Sequence, residues 1–121
     1  MLLGMASPLT TSTRRNFLSG AGSYTAEGAQ GLRKDKASGR RAVAAQVLES
    51  LGGKLECFYF AFGEDDAVMI YELPDNVAAV RVSMAVNASG LIVSKTTPLL
   101  TVEEVDQALG APDIGFRGPG Q

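Results

Sequence analysis

Three tyrosines, a run of carboxylates and a pair of arginines are the groups in this chain whose types and spacing could do chemistry. Tyr24, Tyr59 and Tyr71 carry hydroxyls that need partners when buried, so they suit the few polar points of an apolar pocket, or packing in the core. Glu64, Asp65 and Asp66 stand together in the stretch GEDD. Adjacent carboxylates can hold a hard cation or share a proton for acid–base work, and they equally suit a solvated turn. Arg40 and Arg41 offer planar donor forks for an anionic ligand, or a charged exposed face. Lys95, Thr96 and Thr97 serve as ligand contacts or as edge residues, and Cys57, alternating with aromatics, as a small core residue. Tyr24, Tyr71, Asp66 and Arg41 are the residues expected to contact a ligand, with Tyr59 the substitute for Tyr71 if the strand register differs. Asp66 would accept a proton or fix a polar group, and the tyrosines would donate hydrogen bonds. No catalytic residue is assigned, and no metal or cofactor is expected.

What is missing bounds the chemistry further. The 121 residues include no histidine and a single cysteine. Catalysis built on Cys–His or Ser–His–Asp is excluded by inventory, and a zinc site has almost nothing to use. The lone Cys57 cannot form an internal disulfide, which fits a reducing, cytoplasmic setting. Lys and Arg number 11 against 13 Asp and Glu, a net charge of −2, which argues against a general nucleic-acid binder. No apolar run approaches the roughly 18 residues of a membrane span. The stretch GAQGLRKDKASG is glycine-rich and basic but lacks phosphate-loop spacing.

The stretch TSTRRNFLSGAG, residues 11–22, resembles the start of a twin-arginine export signal. Such a signal needs an apolar segment of roughly 7 to 15 residues next. Here SGAGSYTAEGAQGLRKDK follows, with Glu27 and a second basic cluster at Arg33, Lys34 and Lys36, so no export is expected. Arg14 and Arg15 would then solvate the entry to a strand.

The elements that must position these groups follow from periodicity. Residues 1–15 lack a pattern and read as a disordered leader; residues 16–109 form the domain, and residues 110–121 a flexible tail. NFLSGAGSYT, with its small residues, suits a strand that something approaches closely. AEGAQGLRKDKASG reads as a short helical turn and a loop. RRAVAAQVLESLGG places Val43, Val47 and Leu51 at helical spacing beside Ala44 and Leu48, and Gly52 and Gly53 stop the helix. KLECFYFAF and AVMIYEL are strands joined through GEDD as an antiparallel hairpin. Pro74 ends the second, Asp75 or Asn76 caps the helix NVAAVRVSMAVNAS, and Gly90 closes it. LIVSKTTPLL is a fourth strand, and TVEEVDQAL a short helix with Thr101 and Glu104 as a capping box. The order β-α-β-β-α-β predicts an α+β, ferredoxin-like fold, with a four-stranded antiparallel sheet and both main helices on one face.

Two helices cover one face only. Strict alternation puts Phe58, Phe60 and Phe62 with Glu56 opposite Leu55, Cys57, Tyr59 and Ala61, and Val68 and Ile70 opposite Ala67, Met69, Tyr71 and Leu73. Both faces are therefore apolar. An exposed patch of three phenylalanines, each worth roughly 1.5–3 kcal/mol on burial, predicts a homodimer through the sheet face.

The segments GSYTAEGAQGL, GRRAVAAQVLESLGGKLECFYFAFGEDDAVMIYELPDN and TTPLLTVEEVDQAL resemble, in that order, a GYD-domain protein of the dimeric α/β-barrel superfamily. Gly63, Glu64 and Asp66 match the naming motif, and Asp65 stands where an aromatic usually precedes the aspartate. The resemblance runs from Phe17 to about Leu109. It implies a ferredoxin-like fold and a homodimer, and it makes NFLSGAGSYT the first strand. The hairpin is also similar to the effector-binding domain of leucine-responsive regulators, which favours binding, although no DNA-binding module accompanies it. The expected function is a homodimeric domain that binds a small ligand or partner between sheet and helices, with the barrel geometry placing a pocket between sheet and partner. The alternative is a cofactor-free enzyme, resembling the small monooxygenases and decarboxylases of this barrel, using Tyr and Asp in the pocket. A pure assembly role is third.

Overall fold

The computed structural model describes residues 16–61 and 63–121. Arg14, Arg15 and the leader lie outside the described residues, as does Phe62. In chain order the elements are β1 (Asn16–Tyr24), α1 (Ala26–Ser50), β2 (Lys54–Phe60), β3 (Ala67–Leu73), α2 (Asn76–Ala88), β4 (Ile92–Leu99) and α3 (Val102–Leu109). The strands form one open sheet in the order β2-β3-β1-β4, with every neighbouring pair antiparallel. Among the described residues no helix is long and apolar enough to cross a membrane.

Local chemistry sets most element ends. Asp75 caps α2 by accepting from Ala78 N at 2.9 Å. Thr101 and Glu104 form the capping box of α3, with Glu104 N donating to Thr101 Oγ1 at 3.0 Å and Thr101 N to Glu104 Oε1 at 2.8 Å. Gly52, with φ of +79°, supplies the left-handed turn after α1.

Helix α1 departs from the expected short turn and loop. It begins at Ala26, because Thr25 is its cap and accepts from Gly28 N at 3.1 Å. The following Gln, Leu, Arg and Lys are good helix formers. The helix is broken once, at Lys36, whose φ of 67° and ψ of 164° lie in a region that favours glycine. Residues 37–50 then continue as a second helical segment at a new angle.

The second departure is in β2. Leu55 pairs with Tyr71, yet Cys57 pairs with Ile70, so a bulge falls between them at Glu56. An extra residue on one strand reverses which face each later side chain takes. Phe58 and Phe60 therefore share the helix-covered face with Met69 and Ala67, and Cys57 and Tyr59 join Val68 and Ile70 on the outer face. The expected outer patch of Phe58 and Phe60 is corrected by this bulge: the two rings meet in a tilted contact at 5.2 Å on the helix side, with Phe60 bordering α1. The outer face nevertheless keeps an apolar patch of Phe17, Ala21, Cys57, Tyr59, Val68, Ile70 and Val93, interspersed with Ser19, Glu72, Lys95 and Thr97. Tyr59 there is 68% exposed.

The core lies between sheet and helices: Leu18, Tyr71 and Leu73 from the strands, Leu48 from α1, and Ala78, Ala79 and Val82 from α2. Helix α3 buries no residue.

Candidate functional site

Large side chains fill one end of the space between sheet and helices, and at the other end β1 presents Gly20 and Gly22. That difference leaves a cavity of about 140 Å³. Its floor is Gly20, Gly22, Met69 and Tyr71, with Ser94 and Thr96 from β4; its roof is Val43, Ala44 and Val47 of α1 and Val82, Ser83 and Val86 of α2, and Phe58 closes the β2 side. A side chain at either glycine would crowd its neighbour. A Cβ on Gly20 would come within 3.2 Å of the Tyr71 ring, and one on Gly22 within 3.1 Å of Ile92 Cγ2.

Tyr71 is 1% exposed, and its hydroxyl shares a hydrogen bond with the Thr96 side chain. Burial pushes its pKa above the ordinary 10.0, and the Thr96 bond pulls the other way and offsets part of that rise. The native state thus holds this proton where the unfolded chain releases it. Stability tied to Tyr71 is complete below the unfolded value and is lost as pH climbs through the native one. Tyr71→Phe is expected to flatten the fall in melting temperature between about pH 9 and about pH 11. Identical alkaline profiles for the two proteins would contradict this origin.

Tyr24 also lines the cavity, and its hydroxyl has no hydrogen-bond partner among the described residues. Asp66 is placed elsewhere. Its Oδ2 accepts from Tyr24 N at 2.9 Å, its own N donates to Gly22 O at 2.8 Å, and its carbonyl accepts from Ala61 N at 2.9 Å. The carboxylate binds the hairpin to the end of β1 and does not line the cavity. Asp65 pairs with Lys95 Nζ at 3.3 Å, and among the described residues no cluster of carboxylates is placed to hold a metal ion. Tyr59, on the outer face, does not substitute for Tyr71.

Arg41 is exposed and lines none of the cavity; Arg40 does. Arg40 precedes Val43, Ala44 and Val47 by three, four and seven positions, so it shares their helical face. That spacing was the available signal for choosing between the two arginines. A second hollow of about 270 Å³, toward the start of α1, shares Tyr24, Arg40, Val47, Val82, Val86 and Ile92 with the first and adds Asp35. The described cavity thus lies between the sheet and the chain's own helices.

One antiparallel sheet, one helix layer and a half-open hollow of ring size between them define an α+β domain with a built-in ligand-sized cavity. The chain belongs to the GYD domain family, whose model matches residues 21–109. No curated protein and no solved structure matches it.

Proposed function

We propose that this GYD-domain protein is a ferredoxin-like, cytoplasmic, homodimeric binding domain that holds a small ligand between its sheet and its helices. The cavity over Gly20 and Gly22 carries this reading: well-packed interiors leave few voids, and an apolar one of about 150 Å³ can hold a benzene ring. The βαββαβ element order and the strand order β2-β3-β1-β4 support the ferredoxin-like reading. The apolar outer face supports pairing of two sheets into a dimeric α/β barrel. The single cysteine supports the cytoplasmic setting. The ties that Asp66 makes to backbone weigh against an enzyme working through a Tyr–Asp pair.

The test is to fill the space. Ala44 roofs the cavity from α1, so Ala44→Leu should raise the melting temperature and abolish stabilisation by small ring compounds that protect the wild type. A wild type that gains no stability from any such compound, or a leucine variant that binds them as well, would remove the cavity as a binding site.

A further inference from the structure

The charged group among the walls of this cavity is Arg40. Its guanidinium has five N–H donors. Among the described residues its partner is Asp35, with Nη1 to Oδ2 at 3.5 Å, the outer limit of a hydrogen bond. The Asp35 side chain is 46% exposed, so this pair is weak and cheaply replaced. Arg40 and Tyr24 line both hollows, and the Arg40 guanidinium reaches Asp35, a wall of the second. Inward from Arg40 the walls are apolar: Phe58, Met69, Val43, Val82 and Val86.

The local field has the matching sign. Residues 33–41 hold five of the chain's 11 basic residues, Arg33, Lys34, Lys36, Arg40 and Arg41, against the one acid Asp35, although the whole chain is net negative. Such a patch raises the local concentration of anions and turns away cations.

We propose that the ligand is a small organic acid whose apolar part, of about one ring, fills the cavity over Gly20 and Gly22 and whose carboxylate displaces Asp35 from Arg40. This rests on the cavity being the binding site. An arginine fork matches a carboxylate in a bidentate geometry, and a charge-assisted bond at the edge of an apolar pocket is stronger than a neutral one. Tyr24, which lines the same space, carries a hydroxyl able to donate a further hydrogen bond.

Phenylacetate and its neutral counterpart phenylacetamide, titrated calorimetrically into the full chain, separate the two levels of the proposal. The acid should bind about ten- to hundredfold more tightly than the amide. Arg40→Gln should erase most of that difference by weakening the acid far more than the amide. Asp35→Asn, which removes the competing carboxylate, should tighten the acid and leave the amide unchanged, a response that a purely structural ion pair would not give. Equal affinity for acid and amide, or a preference that survives Arg40→Gln, overturns the carboxylate assignment and keeps the cavity. Failure of both compounds to bind overturns this inference together with the cavity reading.

Discussion

Val68→Lys is expected to turn the proposed dimer into monomers at micromolar concentration, read by light scattering. Val68 lies on β3, an inner strand, and pairs with Ala21 on β1 and Tyr59 on β2, so it stands mid-sheet on the outer face. It is 37% exposed in the protomer, which leaves room for a lysine stem and lets the variant fold. The chain's own tail does not shield this face: Phe116 is 80% exposed. In a twofold interface each substitution occurs twice. An interface removes from water only the part of Val68 still exposed in the protomer, worth roughly 0.5–1 kcal/mol on each side, so its loss raises the dissociation constant about five- to thirtyfold before the larger cost of burying an ammonium. Phe60→Lys is the control. Phe60 lies on the helix side beneath α1, so that change should lower the melting temperature and leave assembly intact. A Val68→Lys protein that stays dimeric, or a monomeric wild type, would remove the outer face as the interface.

The contrast between Val68 and Phe60 marks where sequence reasoning reaches its limit. The capping chemistry of Asp75, of Thr101 with Glu104, and of Gly52 is local, and each acts where the sequence places it. The bulge at Glu56 is a property of two strands in register, since pairing decides which strand carries the spare residue. Period-2 counting through KLECFYF therefore runs correctly to Leu55 and inverts beyond it. Helix α1 raises the same difficulty. Its cap is readable as a threonine before AEG, but the break at Lys36 resets the helical phase, and no glycine or proline announces it. The arginine facing the cavity is found only by tying Arg40 to Val43, Ala44 and Val47. Tyr24 and Tyr71 reach the cavity through simple alternation in β1 and β3, which carry no bulge where they pair. Asp66 marks a hairpin in sequence, and only the fold reveals that its carboxylate is engaged by the Tyr24 amide.

Gly28 and Gly31 share one helical segment, and their replacement by alanine should move stability in opposite directions. A methyl on Gly31 meets nothing within 4 Å, so Gly31→Ala should gain the usual 0.5–1 kcal/mol, roughly, of an exposed helix interior. Gly28 is different because the start of α1 is anchored to the turn before β4. Thr25 N donates to Leu91 O at 3.0 Å, the Thr25 hydroxyl donates to Gly90 O at 3.0 Å, and Gly28 N donates back to Thr25 Oγ1 at 3.1 Å. This draws the helix so close that a Cβ on Gly28 would collide with the Leu91 carbonyl oxygen, a backbone atom that cannot rotate away. Relief requires the helix start to lift, breaking those bonds and loosening Tyr24 and the mouth of the cavity with them. Gly28→Ala should therefore cost about 1–3 kcal/mol, a fall in melting temperature of roughly 5–20 °C for a domain of this size at fixed protein concentration. Its ring-compound binding should weaken in parallel, because Tyr24 and Arg40 would no longer face the same space. Equal melting temperatures for the two alanine variants would mean that the start of α1 is not held against Leu91.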